Sequence, residues 1–162
     1  MNARTSFSNI RTLEFMDLFN LNINIDEVMK NLIQLFIALI LPIMTAWERE
    51  KSSRSAGLRT FPLVSMAACT FTILAMSIFN DQDAQSKVIA GIVTGIGFIG
   101  GGAILKDSSQ VSGTSTAAAI WSTGAIGIAV GLERIEIAIA LSIMTFATLK
   151  VIGRVKEEVP KD

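Results

Sequence analysis

The chain has 162 residues, the length of one domain, with 51% hydrophobic residues, 17% charged residues, a mean hydropathy of +0.53 and no net formal charge. This balance favours a membrane protein over a soluble one, and zero net charge gives no indication of nucleic-acid binding. Histidine is absent and Cys69 is the single cysteine, which excludes disulfide frameworks, zinc sites built from His or Cys clusters, and Ser/His or Cys/His nucleophiles.

The hydropathy pattern predicts an all-α integral membrane protein with three regions. Residues 1–25 are polar with scattered apolar positions, a pattern that fits a short interfacial helix and a partly ordered tail equally well. The first long apolar run begins only near Leu32, too late for a cleaved secretory signal. Residues 26–152 are the transmembrane domain, with Pro42 as a kink in its first helix, and residues 153–162 are a polar tail. The five predicted spans are residues 26–47, 60–79, 88–105, 115–132 and 137–152.

The third span is the glycine-rich run Val88–Leu105, which carries no charge. As a helix it would extend about 27 Å, close to the roughly 30 Å of a bilayer's hydrocarbon core. Small residues spaced by four allow another helix to approach at backbone distance. We therefore predict that this helix lies at the packed centre of the bundle. The helix-packing GxxxG pairs in the chain are Gly91/Gly95, Gly97/Gly101 and, in the fourth span, Gly127/Gly131.

Residues 95–100 also match the dinucleotide-binding pattern GxGxxG. That pattern requires a preceding strand, a following helix and an acidic residue about 20 positions later. Here it lies within one apolar run, and residues 115–125 contain no acidic residue. The glycines are therefore interpreted as helix-packing positions, and no cofactor is predicted.

The distribution of Lys and Arg predicts the orientation. If the 48–59 loop is cytoplasmic, nine of the fourteen basic residues lie inside, which places the N-terminus outside and the C-terminus in the cytoplasm. These nine are Arg49, Lys51, Arg54, Arg59, Lys106, Lys150, Arg154, Lys156 and Lys161.

Two short Gly-x-x-Thr segments, residues 57–60 and 113–116, open the second and fourth spans. They predict two parallel hairpin repeats, spans 1–2 and 3–4, followed by one appended helix. In that arrangement two helix N-termini face one cytoplasmic cavity, and helix N-termini bind anions. The predicted ligand-binding candidates are Glu48, Arg49, Arg54, Arg59, Thr60, Ser115 and Thr116. The alternative is that they are positive-inside charges and hydroxyl caps.

No Asp, Glu, Lys or Arg lies near the middle of a predicted span, which argues against a charge-relay transporter. A path lined by backbone carbonyls of a broken helix stays open as an alternative. Asp81 and Asp83 are interpreted as a solvated loop, so no metal site is predicted. With no nucleophile or base, an enzyme is not expected.

Three sequence blocks resemble the MgtC/SapB family of bacterial inner-membrane proteins over about residues 30–135. The first is Glu-Arg-Glu at 48–50 followed by Ala-Gly-Leu-Arg-Thr at 56–60, the second is Gly-Ile-Gly-Phe-Ile-Gly at 95–100 continuing to Leu105, and the third is Val-Ser-Gly-Thr-Ser-Thr-Ala-Ala at 111–118 continuing to Gly131. The resemblance is to a short form without the soluble C-terminal domain of longer members.

The resemblance implies a multi-pass protein of the bacterial inner membrane with a role in growth under magnesium limitation and in virulence. It also implies restraint of the proton-translocating ATP synthase through that enzyme's membrane sector. We therefore expect a non-enzymatic regulator that binds a membrane partner through its glycine-faced helices. The alternative is a channel or carrier for magnesium or a small anion. A homodimer is a further expectation, because GxxxG faces also pair two copies of one chain.

Overall fold

The computed structural model describes residues 24–52, 56–106 and 110–153. The elements are α1 (Ile25–Ile40), α2 (Ile43–Ser52), α3 (Thr60–Ile78), α4 (Gln82–Gly101), β1 (Leu105–Lys106), β2 (Val111–Ser112), α5 (Thr114–Gly131) and α6 (Ile135–Ala147), which continues as a π-helical turn over Thr148–Ile152. Residues 1–23 of the N-terminal segment, for which an interfacial helix and a partly ordered tail were both open, and residues 154–162 of the polar tail lie outside the described residues. Contacts divide the chain into the units Met1–Lys30 and Asn31–Asp162, and the packing described below is that of the second.

The all-α membrane fold predicted from the sequence is confirmed. Within the described ranges, four helical segments are long and apolar enough to cross a membrane: Ile25–Lys51, Thr60–Ile78, Gln82–Gly101 and Ile135–Ile152. The predicted fourth span, α5, has 18 residues but is rich in Ser, Thr and Gly, which lower its hydropathy. That composition is why it falls short of the same criterion, and in the bundle α5 is packed against other helices.

The packed centre of the bundle is α5, so the prediction that α4 occupies it is wrong. Ten of the 18 residues of α5 are buried, whereas α4 buries only Ile96 and Gly100. Helices α3, α4 and α6 all pack against α5. Alanine and glycine at the core of α5 let these neighbours approach closely, and one of its hydroxyls, Ser122 Oγ, is hydrogen-bonded to Thr145 Oγ1 of α6 at 2.6 Å.

The glycine-rich helix α4 has different boundaries from those predicted. It begins at Gln82 rather than Val88, because the Asp81 side chain caps it by accepting the N–H of Ala84 at 3.1 Å. It ends at Gly101, and Leu105–Lys106 then pairs antiparallel with Val111–Ser112. Gly113 follows with a φ of +84°, in the left-handed region, where a side chain would also collide with the Ala103 carbonyl. This hairpin was not predicted from the sequence.

The first span is interrupted at Leu41-Pro42, in agreement with the predicted kink. Proline has no N–H to continue the helical bonding, so helix α1 ends at Ile40 and α2 begins at Ile43. The Ser142 hydroxyl of α6 donates to the Leu41 carbonyl at 2.6 Å. About two helical turns earlier, Gln34 Nε2 donates to the Val130 carbonyl of α5 at 3.1 Å. Each bond gives a backbone carbonyl a hydrogen-bond donor, which lipid tails cannot provide.

Candidate functional site

The ligand candidates on the first hairpin surround a turn that is organised by Glu50. Its carboxylate Oε2 accepts the N–H of Leu58 at 3.0 Å and fills the space where a Cβ at Gly57 would stand. Glu50 therefore connects the end of α2 to the segment that carries Arg59. Glu50 is not among the predicted ligand-binding candidates, although the spacing of Glu-Arg-Glu from Ala-Gly-Leu-Arg-Thr was a signal for this contact.

The other charged candidates lie around this turn in different environments. Arg59 is exposed and directly precedes α3, whose first residue, Thr60, is half-buried. Glu48 and Arg49 are half-buried on α2. The Arg49 Nε atom is inaccessible and has no hydrogen-bond partner among the described residues. Arg54 lies outside the described residues.

The second pair of candidates, Ser115 and Thr116, lies close to the start of α5. Thr116 is 2% exposed, whereas Ser115 is exposed and lines a groove of about 330 Å³ between α5 and α6. Thr145 and Thr148 lie on the α6 side of that groove.

The starts of α3 and α5 are staggered. Ser65 of α3 lies beside Gly127 of α5, and Cys69 and Thr72 lie beside Gly131, so the two helices run parallel. Counting back from Ser65 and Gly127, α5 begins about eight residues, or roughly 12 Å, before α3 on the same side. The two helix N-termini therefore do not face each other at one level, which differs from the predicted shared cavity.

The predicted helix-packing glycines separate into two groups. Gly127 and Gly131 contact the backbone and side chains of α3. A Cβ placed on Gly91, Gly95, Gly97 or Gly101 would meet no atom of another described element within 4 Å. All four lie on the exposed surface of α4.

The four exposed glycines of α4 face two directions. At 100° per residue, the Gly91/Gly95 stripe and the Gly97/Gly101 stripe lie about 120° apart on the helix. Gly91 and Gly95 line an apolar groove of about 470 Å³ between α3 and α4. Gly97 and Gly101 are outside that groove, and Phe98, which is 85% exposed, stands between the stripes.

No group of three or more Cys, Asp or Glu residues is placed to hold a metal ion in the part of the chain that the structure describes. The bundle has two main chemical features. Charged residues surround the turn that Glu50 holds at the end of α2, and α4 presents glycine to its surroundings. Together with the four helical segments that are long and apolar enough to cross a membrane, these features define a multi-pass α-helical membrane protein.

Comparison with known proteins gives the family. The MgtC family profile matches residues 35–158, and the chain belongs to the MgtC family. The chain is 35% identical to Protein MgtC of Salmonella typhimurium over 70% of this chain and 48% of that protein. It is 37% identical to the Putative magnesium transporter YhiD of Escherichia coli strain K12 over 74% of this chain and 59% of that protein. The chain thus spans about half the length of the curated relatives it matches. No solved structure matches it significantly.

Proposed function

We propose that this protein is a non-enzymatic regulator that binds another membrane protein through the Gly97/Gly101 face of α4. The supporting observation is that both glycines lie open on the surface of a membrane-spanning helix, although glycine weakens a helix interior by up to about 1 kcal/mol relative to alanine. Among the described residues, these glycines make no close contact that would offset this cost. A partner helix packed on the same face would supply it.

The face has the composition that helix pairing in a bilayer requires. Ala90, Thr94, Gly97 and Gly101 are spaced four, three and four residues apart, and all are exposed. Lipid gives no hydrophobic gain for bringing two helices together, so association depends on close van der Waals packing between small residues. Phe98 beside the stripe offers a large side chain that fits a partner's groove.

Family resemblance suggests the partner and the setting. We propose the membrane sector of the proton-translocating ATP synthase as partner, in the bacterial inner membrane, with a role in adaptation to magnesium limitation and in virulence. We propose further that the Arg59 end of the bundle is cytoplasmic, because basic residues concentrate on cytoplasmic loops. A non-enzymatic role is supported by a sequence without histidine and with a single, buried cysteine.

The test is co-purification from membranes in a mild detergent. Gly97→Leu and Gly101→Leu place a bulky side chain on the docking face and should lower recovery of ATP synthase membrane subunits about tenfold. Gly97→Ala keeps the face small and should retain most of the partner. Ala140→Leu, at an exposed position of α6, is the matched control and should have no effect.

Three results would contradict this function. Recovery of the partner could be the same for Gly97→Leu and wild type, no ATP synthase subunit could be recovered at all, or the face could capture only a second copy of this chain. The last result would assign the face to a homodimer.

A second function, a channel or carrier for magnesium or a small anion, is favoured by the name of the relative YhiD. The exposed Arg59 at the start of α3 adds a basic group to a helix N-terminus, a combination that attracts anions. Flux into proteoliposomes that Arg59→Ala abolishes would support this function. Tight vesicles with correctly inserted protein and no flux would remove it.

A further inference from the structure

The groove between α3 and α4 has no role in the function proposed above. It has a volume of about 470 Å³, is half-open to its surroundings, and is lined only by apolar side chains and glycine. Both helices that form it are long and apolar enough to span a bilayer. Its occupant must therefore be apolar, since polar groups lose their hydrogen bonds there without compensation.

The groove has the length of one bilayer leaflet. On α4 it extends from Val88 to Ile99, eleven helical steps or about 16 Å. Half of a roughly 30 Å hydrocarbon core is about 15 Å. Gly91 and Gly95 form its floor on α4, and Ala67, Ala68 and Phe71 line the opposite wall on α3. A partner helix is about 10 Å across with its side chains, whereas a single hydrocarbon chain is much thinner. A groove of this volume therefore fits one acyl chain better than a helix.

A pair of opposite charges stands at one end of the same groove. Asp83, Lys87, Gly91 and Gly95 are spaced by four, so they form one row along α4. Lys87 Nζ and Asp83 Oδ2 are 2.6 Å apart, and both side chains are exposed. Asp81, at the start of the helix, adds a second carboxylate, one oxygen of which accepts the Ala84 N–H. The N-terminal end of α4 therefore carries one ammonium and two carboxylates before the apolar floor of the groove begins.

We propose that this groove binds a phospholipid with a primary-amine headgroup, such as phosphatidylethanolamine, with one acyl chain along Gly91 and Gly95. The lipid phosphate lies near Lys87, and the headgroup ammonium lies near Asp81 and Asp83. Two carboxylates against one ammonium disfavour a purely anionic headgroup such as phosphatidylglycerol. The site is independent of the Gly97/Gly101 docking face, which points about 120° away on α4.

The test is native mass spectrometry of the protein reconstituted in equimolar phosphatidylethanolamine and phosphatidylglycerol, then released with its retained lipid. Wild type should retain phosphatidylethanolamine in preference. Gly95→Leu and Gly91→Leu place a bulky side chain in the groove from an open Cβ position, and should lower retention about tenfold. Asp83→Asn leaves the groove intact and should shift retention towards phosphatidylglycerol. Ala140→Leu is the control for an added leucine and should match wild type.

Equal lipid retention by wild type and Gly95→Leu would overturn the proposal, as would a preference for phosphatidylglycerol in wild type. A further variant, Gly95→Cys, can be treated with a thiol-reactive cross-linker in native membranes. If it is joined to another protein and no lipid is retained, the groove belongs to a partner helix, and the lipid proposal is overturned. Loss of lipid in Gly95→Leu with partner binding intact would support the lipid site separately from the proposed regulatory function.

Discussion

Gly127 of α5 lies directly against the backbone carbonyl of Ser65 on α3, and a Cβ at position 127 would overlap that oxygen. One turn later Gly131 lies against the Cys69 carbonyl, with 2.9 Å between that oxygen and a Cβ placed at position 131. These contacts let two parallel helices approach at backbone distance, which is the closest packing a bundle can reach. The α3–α5 pair is the structural centre to which α4 and α6 are added.

Gly127→Ala should therefore destabilise the protein, because the new methyl group forces the two helices apart. Overpacking of this kind costs about 1–3 kcal/mol, and we expect a lower unfolding temperature in detergent. The measurement is thermal unfolding followed by circular dichroism or by nanoscale fluorimetry at Trp121.

Gly95→Ala is the matched control for that experiment. Its Cβ position is open, so alanine meets no neighbour and gains helix propensity of up to about 1 kcal/mol. We expect an unchanged or higher unfolding temperature. Equal destabilisation by both substitutions would contradict the assignment of α5, rather than α4, to the centre of the bundle.

Glu50→Ala should loosen the turn before α3. The substitution removes the acceptor of the Leu58 N–H, a contact that is exposed and contributes about 1 kcal/mol. Lys51 and Arg59 flank the turn, so limited trypsin digestion in detergent should cleave Glu50→Ala faster than wild type. Glu50→Gln keeps an acceptor of the same shape and should be nearly as resistant as wild type. Identical digestion rates for all three proteins would show that this contact does not order the turn.

The apolar runs predicted the helices well, because a helix that faces lipid must be apolar along its length. Pro42 likewise predicted an interruption that the structure contains, since proline cannot donate the bond. The direction in which each glycine faces was not predictable. Gly91/Gly95 and Gly127/Gly131 have the same spacing in sequence, but the first pair is open and the second touches α3. Which face of a helix meets a neighbour depends on long-range packing that spacing alone does not encode.

The site was predicted less completely than the fold. The Glu48–Thr60 blocks lie around the turn between α2 and α3, but the contact between Glu50 and Leu58 depends on how the chain turns there, which the sequence blocks do not encode. The prediction that two helix starts share one cavity is wrong because α5 begins about eight residues before α3 on the same side of the pair. The second and fourth predicted spans, α3 and α5, run parallel as the repeat predicted, but their starts do not lie at the same level.

Ser142→Ala should weaken the contact of α6 with the interrupted first span. The Ser142 hydroxyl is the donor to the Leu41 carbonyl at 2.6 Å, beside the missing N–H of Pro42. Losing it leaves a buried carbonyl without that donor, at a cost of about 1–3 kcal/mol. Ser77→Ala, which removes an exposed hydroxyl bonded within its own helix to Leu74, is the control and should change the unfolding temperature little. Equal effects would show that the Leu41 carbonyl is satisfied in another way.

Thr123→Val should raise the unfolding temperature. Thr123 is 0% exposed, and its hydroxyl has no hydrogen-bond partner in the described part of the chain. Valine has nearly the same shape and removes the unsatisfied group, so stability should increase by about 1 kcal/mol. Thr72→Val provides the comparison, because the Thr72 hydroxyl donates to the Ala68 carbonyl at 2.8 Å and its loss should be neutral or destabilising. A decrease for Thr123→Val would reveal a partner for that hydroxyl.

The most direct test of the Gly97/Gly101 docking face of α4 is photo-cross-linking in native membranes. Phe98 is 85% exposed beside the Gly97/Gly101 stripe, and Ile143 is 60% exposed on α6. A photoreactive benzoyl-phenylalanine at position 98 should give one discrete adduct with an ATP synthase membrane subunit, and Gly97→Leu should abolish it. The same residue at position 143 should give none. Matching adducts from both positions, or no protein adduct from position 98, would contradict a partner-binding role for this face.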